Sequence, residues 1–125
     1  MNSEIKLKIE RWIQQINDES AVPSGIVAYN FGLFESEDGY CIYLIGSNAY
    51  DEDDDDWACE VDYEPKHKYL PLLEVSRQEI GWEEFQNKVK DIVAGFISKN
   101  ADKLPIFKDK IITMGFDDGN LIRIQ

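Results

Sequence analysis

Apolar residues recur at helical spacing from the start of the chain. Ile5, Ile9, Trp12, Ile13 and Ile16 share one face, which predicts an amphipathic helix over residues 3–17. Asn17-Asp18-Glu19-Ser20 ends it, and Pro23-Ser24-Gly25 breaks the chain. The period then changes from helix to strand. Residues 26–34 are rich in β-formers, with Val27, Tyr29, Phe31 and Leu33 expected on one face. Residues 40–46 form a second strand, joined to the first as a hairpin through the polar turn Glu35-Ser36-Glu37-Asp38-Gly39.

Alternation is clearest over residues 57–64. Trp57, Cys59, Val61 and Tyr63 alternate with Ala58, Glu60, Asp62 and Glu64. That pattern predicts a third strand, apolar toward the core, with three carboxylates toward solvent. After Pro65-Lys66-His67-Lys68, residues 69–75 give a short fourth strand. Ser76 and Glu79 have capping-box spacing ahead of a helix over residues 77–99, with Phe85, Val89, Ile92, Val93 and Phe96 as its stripe. Beyond Pro105, residues 111–116 and 121–124 flank Asp117-Asp118-Gly119-Asn120 as a closing hairpin. The expected architecture is a single α+β domain over residues 1–125. It has a mainly antiparallel sheet of about five or six strands, an N-terminal helix, and a long helix before a C-terminal β-hairpin.

Composition agrees with a globular domain: 43% of the 125 residues are apolar and 30% charged. No stretch approaches the ~20 apolar residues of a membrane span. Residues 1–10 are charged and helical in pattern, unlike a signal peptide. Two cysteines, Cys41 and Cys59, are too few for a disulfide framework and fit a reducing, cytoplasmic location. A pI near 4.4 disfavours nucleic acid and anionic membrane as direct ligands, both being polyanions.

Charge sharpens the picture more than composition does. Nine of the 25 acidic residues fall between Tyr50 and Glu64, a stretch without Lys, Arg or His. They are Asp51, Glu52, Asp53, Asp54, Asp55, Asp56, Glu60, Asp62 and Glu64. The formal net charge is −12, so the remainder of the chain stands at only −3. Like charges this close need hydration, a counter-ion or a partner. On the predicted strand, Glu60, Asp62 and Glu64 would be spaced roughly 6.6 Å apart, near the spacing of backbone phosphates in a nucleic acid.

Such residues could serve several chemistries. Asp51, Asp53 and Asp55 match the first ligands of a calcium-binding loop, but Asp56 stands where that loop needs Gly, and Asp62 where it needs a bidentate Glu. No metal site is therefore assigned. His67 is the only histidine, and neither cysteine lies in a nucleophile signature; Cys59 is expected to face the core. Paired carboxylates for acid–base work need one buried member, and these acids are expected to be exposed. Neither catalytic residues nor a cofactor are assigned, and the expectation is that the chain is not an enzyme. Tyr50 and Trp57 bracket the acidic run; Trp57 and Tyr63 are read as core residues, and Tyr50 as the contact residue.

The pattern as a whole resembles the small acidic immunity proteins of bacterial polymorphic-toxin and contact-dependent inhibition systems. The features that carry it are the N-terminal helix and strand pair, the acidic loop leading into Trp57-Ala58-Cys59-Glu60, Gly81-Trp82-Glu83-Glu84-Phe85 in the long helix, and Gly115-Phe116-Asp117-Asp118-Gly119-Asn120 in the hairpin. The resemblance implies a cytosolic, non-enzymatic domain that neutralises a basic toxin. The expected partner-binding residues are Tyr50, Asp51, Glu52, Asp53, Asp54, Asp55, Asp56, Glu60, Asp62 and Glu64. Two alternatives stand beside this reading. One is a small-molecule-binding domain or small enzyme with a pocket beside the sheet. The other is an acidic segment that serves only solubility and blocks edge pairing.

Overall fold

Helix α1 spans Ser3–Glu19, and its five predicted apolar residues are all buried. The structure, a computed structural model, describes all residues except 1, 2, 20, 38 and 73. Strands β1 (Ala28–Glu35) and β2 (Tyr40–Ser47) form the predicted antiparallel hairpin. Tyr29, Phe31 and Leu33 are buried as expected, but Val27 precedes β1 and is exposed, with Ile26 filling the buried position at the strand's entry. Strand β3 (Tyr69–Leu72) pairs along the outer edge of β2. Helix α2 (Trp82–Lys99) follows, and then β4 (Ile111–Phe116) and β5 (Ile122–Arg123) make the closing hairpin.

These strands form one five-stranded sheet in the order β3-β2-β1-β4-β5. It is mostly antiparallel, as expected. One pairing is not: β4 lies parallel to β1, with Ala28 opposite Ile111 and Leu33 opposite Phe116. The free edge of β1 is thus closed by a strand returning from α2, a connection long enough to reverse direction. Both helices share one core with a single sheet face, including Phe31, Leu44, Val89 and Met114. No helix among the described residues is long and apolar enough to cross a membrane.

Beyond Val27, two expectations fail. Residues 57–64 are not a strand. The chain forms a 3-10 turn, Asp55–Cys59, and then pairs with the sheet at an isolated bridge between Gly46 and Tyr63. Short-range bonding explains the difference. The Asp54 carboxylate accepts from the Asp56 N–H at 3.0 Å, giving the backbone an alternative to a ladder. Alternation of burial fails with it: Trp57 is buried, but Cys59 and Val61 are exposed. The second failure is the start of α2. Ser76 nucleates a separate turn, its carbonyl accepting from the N–H groups of Glu79 and Ile80. The Ile80 carbonyl accepts from the Tyr40 hydroxyl at 2.6 Å, and the helix begins only after Gly81.

Tyr29 is fully buried, and its hydroxyl has no hydrogen-bond partner among the described residues. Its ring meets Phe107 edge-on at 5.0 Å and Tyr63 at 6.4 Å, and burial pushes its pKa far above the ordinary range. An unsatisfied buried hydroxyl costs about 1–3 kcal/mol, while the ring keeps its packing without it. Tyr29→Phe is therefore expected to leave the melting temperature unchanged or raise it by several degrees. A fall on thermal denaturation would mean that the hydroxyl is satisfied in solution.

Candidate functional site

The acidic segment is a loop packed onto the end of β2 by one aromatic anchor. Trp57 is buried to 5% exposure, and Tyr50 meets it edge-on at 5.3 Å. The Ser47 hydroxyl donates to the Trp57 carbonyl at 3.4 Å. Local bonds then fix the path of the run. Asp51 accepts from the Asp53 N–H at 2.9 Å, and Asp55 accepts from the Leu121 N–H at 3.1 Å. The second bond ties the loop to the β4–β5 turn, sixty-six residues away. All six residues from Asp51 to Asp56 are exposed.

The predicted contact residues therefore divide. Tyr50, Asp51, Glu52, Asp53, Asp54, Asp55, Asp56 and Glu60 surround or adjoin one patch, and a groove of about 350 Å³ runs between Tyr50, Trp57, Asp54 and Glu60. The side chains of Glu52, Asp53, Asp56 and Glu60 make no hydrogen bond or ion pair among the described residues. Asp62, though exposed, is engaged instead with the end of β2: it accepts from the Asn48 N–H at 2.7 Å and from the Ser47 hydroxyl at 3.5 Å. Glu64 pairs with Lys68 at 2.9 Å, which holds the Lys68 ammonium above the ordinary lysine range. The row of phosphate-like spacing is thus absent, because the strand that would space it does not form. Arg123 lies beside the patch, its guanidinium carbon 5.9 Å from the centre of the Tyr50 ring.

Behind this loop, the sheet face away from the helices carries Phe34, Tyr43 and Tyr69, with ring centres 6.0–6.2 Å apart. Gly32 is required beneath them, since a Cβ there would lie 1.9 Å from the Tyr43 ring. The Tyr43 hydroxyl donates to Asp117, and burial, then that carboxylate, pushes the Tyr43 pKa up. Lys68 lies 5.7 and 5.2 Å from the Tyr43 and Tyr69 rings.

Parallel pairing creates a second concavity that no sequence signal announced. The carboxyl ends of β1 and β4 emerge side by side, held by a bond from the Asp117 N–H to the Leu33 carbonyl at 3.1 Å. The start of α2 stands above them. Together they enclose a cleft of about 520 Å³ lined by Leu33, Phe34, Glu35, Trp82, Phe116, Asp117, Asp118 and Gly119. Crevices at the carboxyl ends of parallel strands are where open α/β sheets place ligands. Asp117 and Asp118 read in the sequence only as turn formers; their neighbours Glu35 and Trp82 stand 82 and 35 residues before Asp117.

The residues expected to be chemically inert are placed without ambiguity. His67 pairs with Glu19 at 3.0 Å on the surface, and its carbonyl accepts from the Trp12 indole at 2.8 Å. Cys41 is buried, and burial pushes its thiol pKa up; Cys59, expected in the core, is exposed. Among the described residues, no three His, Cys, Asp or Glu side chains converge in a metal-holding arrangement. Comparison with family models, curated proteins and solved structures gives no match.

Proposed function

We propose that this protein is a non-enzymatic binding module of the cytosol that docks a basic protein partner on the segment from Tyr50 to Glu60. An immunity protein occupying the cationic site of a toxin would work in this way. The observation that carries the reading is six consecutive carboxylates, all exposed, on a loop fixed by a buried tryptophan and by a bond to a distant hairpin. Acids that served solubility alone would need no fixed placement. A held patch of one sign raises encounter rates with an oppositely charged partner and sets its orientation. Tyr50 and the groove beside it supply an aromatic contact within the charged rim.

The reading is tested by affinity capture at low salt, run in parallel with wild type and with the variant in which Asp53, Asp54, Asp55 and Asp56 are all Asn. A basic protein retained by wild type, released by moderate salt and lost from the variant is the expected result. Equal retention by both proteins would remove this segment from the function.

A further inference from the structure

The geometry of the cleft under Trp82 points to a binding site for a guanidinium group carried on an apolar stem. The inference rests on the cleft alone and does not depend on the docking role of the Tyr50–Glu60 segment. Trp82 is 49% exposed although it stands at the first turn of α2, and its ring meets Phe116 edge-on at 5.8 Å. Phe116 in turn contacts Tyr40 and Phe85, which stack at 4.0 Å, so the wall behind Trp82 is rigid. An indole held at the mouth of a cavity by packed rings, with half its surface still open, presents a face to a ligand.

The opposite rim selects the charge of that ligand. Glu35, Asp117 and Asp118 line the cleft. Arg77 pairs with Glu35 at 2.7 Å and Asp117 accepts from Tyr43, while the Asp118 side chain makes no ion pair or hydrogen bond among the described residues. Three carboxylates against one guanidinium leave the rim negative. Planar guanidinium stacks on indole and pairs with carboxylate through a fixed fork of donors, so it satisfies both walls at once. Phe34, half-buried on the floor, suits its methylene stem. A volume of about 520 Å³ lies within the roughly 300–1,000 Å³ of ligand pockets.

The test is a proton–nitrogen NMR titration of the whole protein with N-acetyl-arginine methylamide, and with the citrulline analogue as its uncharged isostere. Saturable shifts are expected at the Trp82 indole N–H and at the Asp118 and Gly119 amides, with at least tenfold weaker binding of the citrulline compound. Trp82→Ala and Asp118→Asn are each expected to weaken binding severalfold. Trp82 is half-exposed and Asp118 lies in a surface turn, so both variants should keep the wild-type spectrum elsewhere. A peptide with arginine at its centre separates the sources. Tighter binding than the amide indicates an arginine of a protein, and weaker binding a small guanidinium compound. Equal binding of arginine and citrulline compounds overturns the inference. So do shifts confined to residues 51–60, which would mean diffuse attraction to the acidic loop.

Discussion

Replacing Trp57 by Ala is expected to cost about 3 kcal/mol and lower the melting temperature by about 10 °C. The ring is the buried anchor of a segment that is otherwise charged and exposed. Its removal leaves the bond from Ser47 to the Trp57 carbonyl and the edge-on contact of Tyr50 without support. The loss should be local in character. Cleavage after Glu52 and Glu60 by a glutamate-specific protease is expected to accelerate well before the helical signal in circular dichroism falls. The core formed by α1, α2 and β1 does not include Trp57, so the variant should still fold. A melting temperature within a degree of wild type, with no faster cleavage, would show that the loop is held by other means.

The quadruple change of Asp53, Asp54, Asp55 and Asp56 to Asn is expected to slow association with the captured basic partner about tenfold at low ionic strength. The difference should shrink toward nothing at about 0.5 M salt, where the screening length is only a few ångströms. Dissociation should change less than association, since steering acts on the encounter. Asparagine keeps a carbonyl oxygen, so the acceptor roles of Asp54 toward Asp56 and Asp55 toward Leu121 survive. The variant should therefore fold as wild type does. At low salt it should be at least as stable, because four adjacent like charges no longer repel. Stopped-flow association across a salt series checks the first expectation, and thermal denaturation at two salt concentrations the second. A salt slope equal to that of wild type would place the steering charge elsewhere, with Glu35, Asp117 and Asp118 the next to be tested.

Much of the architecture was legible in the sequence because periodicity reports burial directly. The stripe of α1 and the alternation of Tyr29, Phe31 and Leu33 each name the residues that face the core. The closing hairpin was legible too, from Asp117-Asp118-Gly119-Asn120 between apolar runs. There Gly115 also admits the backbone of Asn120, since a Cβ would lie 2.6 Å from its carbonyl oxygen. The helix start was misread because the Tyr40 hydroxyl takes the Ile80 carbonyl, a contact forty residues long.

The acidic segment marks the boundary between the two kinds of information. Sequence by itself determined that the charge is concentrated between Tyr50 and Glu64, and that Trp57 belongs to the interior. It could not decide that residues 57–64 would decline to pair as a strand. Alternation describes side-chain types, whereas pairing requires a partner edge; β3 takes the outer edge of β2 over Tyr40–Tyr43, and beyond it the segment makes one bridge, Gly46 to Tyr63. The tertiary structure alone engaged Asp62 with Asn48 at the end of β2 and tied Asp55 to the distant hairpin. It alone also brought Glu35, Trp82 and Asp118 around one cleft, because that juxtaposition depends on the parallel pairing of β1 with β4. Composition and period are local properties of the chain, while a shared cleft is set by the path of the backbone between distant segments.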